Sequence, residues 1–129
     1  MDCLFANIMM GSWLGDYLTQ SRLMALTKSE KSFRGVTICF LHCAIYTVSV
    51  CLFLQRFDLY TVGVIFLSHF PIDYWSLGQK WLDMIKGRNI VKAFNSADKY
   101  HQIDLIFSCI VYKEVDNALH IIIMYLFLQ

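Results

Sequence analysis

Long apolar runs, separated by short polar and basic stretches, set the pattern of this chain. Val36 to Leu54 is nineteen residues without a formal charge when His42 is neutral, and Leu59 to Leu77 is nineteen with only Asp73 charged. A helix crossing a bilayer needs about 20 such residues, so each run predicts a transmembrane helix. Met1 to Leu18, with Asp2 and Asp16 its only charges, predicts a third and lacks the basic start and small-residue cleavage site of a signal peptide. Ala118 to Leu128 is short, so its helix is expected to begin near Lys113 or Val115. Ile103 to Tyr112, apolar apart from Asp104, is too short to span alone. It is either a re-entrant or interfacial helix or a continuation into the last helix. Gly78 to Asn95 mixes Trp81, Leu82, Ile85, Ile90, Val91 and Phe94 with Lys80, Lys86, Arg88 and Lys92. That mixture predicts an amphipathic helix on the cytoplasmic surface with a break at Gly87, followed by a turn over Asn95 to Lys99. The expected fold class is all-α: residues 1–129 form a single membrane-embedded helical domain, an integral membrane bundle of about four transmembrane helices with one interfacial helix.

Composition agrees with that pattern. Hydrophobic residues make up 57% of the 129 and charged residues 16%, and the mean hydropathy of +0.50 is not the balance of a soluble globular protein. A net charge of +1 makes no electrostatic case for a nucleic-acid duplex; the expected partner is the lipid bilayer. The placement of the basic residues is more telling. Arg22, Lys28, Lys31 and Arg34 lie between the first and second runs, and Lys80, Lys86, Arg88, Lys92 and Lys99 between the third and the last. The positive-inside rule makes those two connections cytoplasmic and both termini external. A membrane-surface anchor explains the Ser21 to Gly35 stretch better than a dedicated phosphate site. Tyr74, Trp75 and Trp81 mark the interface.

Within the first helix Gly11 and Gly15 have the spacing that lets a neighbouring helix come close, and Ser12, Asp16 and Gln20 form a polar stripe. The second run carries Cys39, His42, Tyr46 and Ser49 at intervals of three and four. His69 and Asp73 are four apart at the end of the third, with Pro71 between them predicting a kink; Asp116 and His120 repeat the spacing in reverse order. Four-residue spacing puts each pair on one helix face. With alternating topology all six fall in one layer, roughly 6 to 12 Å below the cytoplasmic face at about 1.5 Å per residue. Intramembrane carboxylates are costly and usually mark function, and three of them converging require positive charge. Lys113 is expected to lie a turn further out, so a divalent cation is the better source. Three histidines and three carboxylates form an N/O set suited to Zn, Mn or Fe, as in helical bundles that build metal sites from carboxylate and histidine at turn spacing. His42, His69, Asp73 and His120 are the expected ligands and Asp16 and Asp116 the expected catalytic bases. A metal-free network of histidines and carboxylates is the competing interpretation. The five cysteines read as small buried hydrophobes, with Cys39 and Cys43 as soft ligands the minority alternative; His101 reads as a solvated residue. No repeat, glycine-rich phosphate loop or serine nucleophile elbow is present.

Gly15-Asp16-Tyr17-Leu18-Thr19-Gln20 with Met24-Ala25 and Lys28, Leu41-His42-Cys43 with Tyr46-Thr47, Ser68-His69-Phe70-Pro71-Ile72-Asp73, and Val115-Asp116-Asn117-Ala118-Leu119-His120 resemble, in order, a family of small phage and bacterial membrane proteins of unknown function. More distantly the chain is similar to bacterial inner-membrane proteins described as metal-dependent hydrolases. The resemblance implies a multi-pass protein of the bacterial inner membrane. In the family pattern a histidine stands four residues before the aspartate, where this chain has Ser12. Either the site is mononuclear, or a water or another residue fills the gap. The function expected is metal-dependent hydrolysis of a phosphoester or other anionic substrate, such as a phospholipid, a lipid-linked phosphate or a soluble phosphodiester, at the cytoplasmic face. The competing class is a non-enzymatic phage membrane protein that binds a host membrane or defence protein or assembles as a homo-oligomer into a pore. A pore needs polar stripes facing a shared axis; an enzyme closes its polar layer within one chain.

Overall fold

The computed structural model describes residues 3–86, 94–95 and 99–129, and every described element is helical. Helix α1 (Leu4–Trp13) continues into a π-helical turn (Leu14–Leu18). After it come α2 (Arg22–Thr27), α3 (Phe33–Leu54), α4 (Leu59–Tyr74), α5 (Leu77–Trp81, continued as a π turn Leu82–Lys86) and α6 (Lys99–Phe127). Local signals set the starts. Ser21 accepts a hydrogen bond from the Met24 amide, Ser32 from Gly35 and Asp58 from Thr61, each side chain satisfying one of the orphan donors of a first helical turn. At the other end of α3, Gln55 adopts the left-handed conformation at φ 53° that stops a helix and turns the chain into α4.

Four helices build an up-down-up-down bundle in which α3 and α6 each pack against both α1 and α4 or their continuations. The α1–α3 pair is antiparallel and very close: a Cβ on Gly11 would lie 2.5 Å from Cα of Val50, and one on Gly15 would lie 2.6 Å from the Tyr46 ring. The expected packing role of these two glycines is thus what the structure has. Ile8, Tyr46, Val50, Cys51, Ile65, Met124 and Leu128 form the apolar core. At the same end, Arg56 and Tyr60 donate to the carbonyls of Leu128 and Phe127, fastening the end of α6 to the α3–α4 connection.

Two expectations are decided by α6. Ile103 to Tyr112 is not a separate re-entrant segment: it is part of one helix of 29 residues, which begins at Lys99 rather than near Lys113 or Val115. Of the proposed interfacial helix, α5 and its π turn are described, while Gly87 and residues 88–93 lie outside the described residues, as do residues 96–98 of the turn and the side chain of His101. Among the described residues one helix, Phe33–Leu54, is long and apolar enough to cross a membrane by length and composition, with mean hydropathy 2.1. Helix α4 has 16 residues, about 24 Å at 1.5 Å per residue. Beside the apolar core, the bundle buries a polar layer and turns many large apolar side chains outward. His42, Thr47, Ser49, Thr61, His69, Asp73, Asn117 and His120 are buried, while Phe40, Leu52, Leu67, Phe107, Ile110 and Ile122 face outward.

Candidate metal centre

The polar layer lies at the end of the bundle away from both termini, and each helix brings its residue there by a different route. Helix α4 contributes His69 and Asp73 from one face; Pro71 lies within the helix, yet His69 Nε2 and Asp73 Oδ2 are 3.2 Å apart, so the four-residue register survives it. Helix α3 contributes His42, fully buried. Helix α6 contributes Asp116 and His120, whose Oδ2 and Nε2 are 3.8 Å apart. Asp16 arrives on the π turn, where the Thr19 amide bonds to the Leu14 carbonyl five residues back. That extra residue per turn rotates the chain beyond Trp13 relative to α1, so Ser12 and Asp16 part company. Ser12 donates to the Ile8 carbonyl and accepts from the Tyr46 hydroxyl at 2.8 Å, whereas Asp16 Oδ1 is 3.2 Å from His42 Nε2.

All six sequence-derived residues are therefore brought together. At the centre, His42 Nε2, His69 Nε2 and Asp73 Oδ2 form a nearly equilateral triangle: the two nitrogens are 3.2 Å apart, and the carboxylate oxygen is 3.1 Å from His42 and 3.2 Å from His69. Ligands on one cation at metal–ligand distances of about 2.0–2.2 Å stand roughly 2.8–3.6 Å from one another, from octahedral to tetrahedral geometry, and the triangle falls within that range. Asp73 Oδ1 turns the other way, 3.5 Å from His120 Nε2. Three overlapping sets can hold a metal ion: His42, His69 and Asp73; Asp16, His69 and His120; and Asp73, Asp116 and His120. Oδ1 of Asp116 is buried without a hydrogen-bond partner, as expected of an oxygen placed for a ligand the protein does not itself supply, while Oδ1 of Asp16 faces His42 Nε2. Cys39 and Cys43 are buried with sulfurs 4.0 Å apart and belong to none of the three sets.

What orients two of the imidazoles is stacking. The Tyr46 ring lies 3.7 Å from His69 and His69 lies 3.8 Å from His120, centroid to centroid, with interplanar angles of 26° and 24°. The Nδ1 atoms of His42, His69 and His120 have no hydrogen-bond partner, so for His69 and His120 the outer contact that commonly fixes a ligating histidine is replaced by the ring stack, while His42 lies outside it, tilted 53° from His69.

One expectation about charge is corrected. Lys113 lies away from the centre, as expected, but it is not the only lysine in reach: the Ser21 to Gly35 stretch is more than a surface anchor. Lys28, at the end of α2, reaches down so that Nζ is 2.7 Å from Asp73 Oδ2 with only 13% of its side chain exposed. Burial works against its ammonium, but the carboxylates of Asp73, Asp16 and Asp116 outweigh it and hold its pKa above the usual lysine value. Lys31 donates to the Tyr74 carbonyl and lies over the Tyr74 ring, so two loop lysines grip the end of α4. Lys113 lies instead 3.7 Å above the Tyr17 ring. Gln20, 3.3 Å from His42 Nε2, and Gly78, where a Cβ would come within 2.8 Å of Asp116 Oδ1, complete the surroundings. Gln20 was visible in the polar stripe; Gly78 carried no sequence signal.

The family described as "Protein of unknown function (DUF3307)" matches residues 4–129, nearly the whole chain. The chain belongs to this family. No curated protein and no solved structure matches it. Membership in DUF3307 thus leaves the chemistry to be argued from the centre itself.

Proposed function

We propose that this DUF3307 protein is a multi-pass protein of the bacterial inner membrane with both termini external and a metal-dependent hydrolytic centre open to the cytoplasmic side. The carrying observation is the His42–His69–Asp73 triangle, in which three buried N/O atoms from two helices stand at the mutual distances of one coordination sphere. Such closeness within a single chain favours an enzyme over a pore, because the polar stripes meet each other and not a shared axis. The buried polar layer and the many outward-facing large apolar side chains support the bilayer location, since ionisable groups inside and apolar groups outside are what a lipid solvent selects.

His42, His69, Asp73 and His120 hold the ion, with zinc, manganese or iron suited to this donor set. When bound, it supplies Lewis acidity, lowering the pKa of water to about 7 and polarising a phosphoryl or acyl oxygen. The chain does the rest. Asp16 and Asp116 line a cavity beside the ligands, Asp116 with one buried oxygen lacking a partner and Asp16 held against His42, and are placed to take the proton from the attacking water. Lys28 lines the same cavity and, 2.7 Å from Asp73 Oδ2, holds that carboxylate in place and brings positive charge to the anion's side of the site.

Hydrolysis of bis(p-nitrophenyl) phosphate by the detergent-purified protein, loaded with zinc or manganese, tests this. The rate should vanish with a chelator and in His69→Ala, and fall by about 10²-fold or more in Asp116→Asn. No turnover above buffer by folded, metal-loaded protein on this ester or on p-nitrophenyl butyrate contradicts it. The 2.7 Å Lys28–Asp73 pair favours a second reading, a metal-free ionic network that fixes the helices, and this predicts loss of folded protein in His69→Ala.

A further inference from the structure

Two depressions lie near each other where the π turn after α1 faces α6, linked through the contacts of Tyr17 with Lys113 and Asn117. The polar one, about 280 Å³, is lined by Asp16, Lys28, Lys113 and Asp116 among others and borders the ligand cluster. Its neighbour, about 470 Å³, is lined by Trp13, Tyr17, Leu18 and Glu114. Tyr17 is the wall between them: its ring carries the Lys113 ammonium, and its hydroxyl accepts from the Asn117 amide. Lys113 and Asn117 both face the polar side. On the other side Leu18 is 79% and Trp13 46% exposed, large apolar side chains that an aqueous substrate leaves uncovered.

We infer that the two depressions form one binding site for an amphiphile, a membrane lipid with a phosphate headgroup. The phosphate lies in the polar cavity against the Lys28 and Lys113 ammonium groups, as charge-assisted hydrogen bonding favours, and an apolar chain runs outward over Trp13 and Leu18. The polar cavity holds a headgroup and leaves the chain outside it, where the apolar depression begins. A soluble phosphoester would use the first and have no need of the second. The inference rests on the hydrolase proposal for the nature of the headgroup and narrows its substrate class to a lipid phosphoester that enters sideways past Tyr17.

The test reads binding, with chelator present, so that turnover plays no part. In Trp75→Phe/Trp81→Phe protein Trp13 is the one remaining tryptophan. Phosphatidate with brominated chains, in neutral detergent micelles, should quench its emission saturably at a mole fraction about tenfold below that needed by brominated phosphatidylcholine, and Lys113→Gln should remove most of that preference. Equal quenching by the two lipids, or a preference untouched by Lys113→Gln, overturns the lipid site. If the double variant does not fold, native mass spectrometry of the unaltered chain with the same lipids takes its place: retention of one phosphatidate under activation that strips phosphatidylcholine supports the site, and equal retention overturns it. Saturable phosphatidate binding without hydrolysis of any ester supports the lipid site while ending the hydrolase proposal. Hydrolysis of bis(p-nitrophenyl) phosphate with no lipid preference does the reverse.

Discussion

At the scale of single residues, Lys28 and Asp73 carry the charge balance of the centre. Asp73 is 3% exposed and sits among three imidazoles, each neutral or cationic according to its protons, while Lys28 is the ammonium in direct contact with it. Removing one partner of a buried ion pair strands the other charge, at a cost of about 3–5 kcal/mol. Lys28→Gln should therefore destabilise chelator-treated protein by about 3 kcal/mol, and the deficit should shrink when zinc or manganese is added, because a bound cation replaces the lost ammonium. Thermal unfolding of parent and variant, with and without metal, reads both effects. A variant as stable as the parent in chelator contradicts the counter-ion role. His42, His69, Asp73, Asp116 and His120 were legible in the sequence because helical spacing and depth both constrain them. Lys28 was not, because a lysine stem reaches over several ångströms and no periodicity records which way it bends.

At the scale of elements, the glycines of α1 and the π turn decide how the site is assembled. Gly11→Ala places a methyl 2.5 Å from main-chain Cα of Val50, which no rotamer change relieves. Pushing α1 off α3 should cost about 1–3 kcal/mol, the usual range for overpacking. Gly63→Ala is the internal contrast, since nothing lies within 4 Å of its added carbon, and replacing a mid-helix glycine should gain about 0.5–1 kcal/mol. Unfolding in detergent should rank the variants Gly63→Ala, parent, Gly11→Ala; the reverse order contradicts the packing described. The small-xxx-small spacing announced the close approach of α1, whereas α3 was expected to enter at Val36 and starts at Phe33, capped by Ser32. The π turn at Leu14–Leu18 had no such announcement, since it depends on α1 packing against α3 and α6, and it separates Ser12 from Asp16 despite their four-residue spacing. Similarly, the sequence left open whether the helix continues through Lys113-Glu114-Val115-Asp116; α6 does run through it, with Lys113 and Asp116 lining the polar cavity and Glu114 exposed.

At the scale of the molecule, the apolar runs forecast a helical bundle, and the alternation of basic connections forecast that the polar residues would share one end of it. Both features follow from patterns local in sequence. The number of helices that span a bilayer does not: among the described residues α3 alone meets the length and hydropathy of a span, while α4 and α1 have 16 and 10 residues. The central claim is that this buried layer exists to hold a cation. Elemental analysis by mass spectrometry of the protein purified in detergent without chelator tests it most directly, with His69→Ala measured alongside. One or two equivalents of zinc, manganese or iron per chain, lost in a His69→Ala protein that remains folded, is the predicted result. No stoichiometric metal in the parent, even after reconstitution with zinc or manganese, would contradict it and leave the layer as an ionic lock between helices.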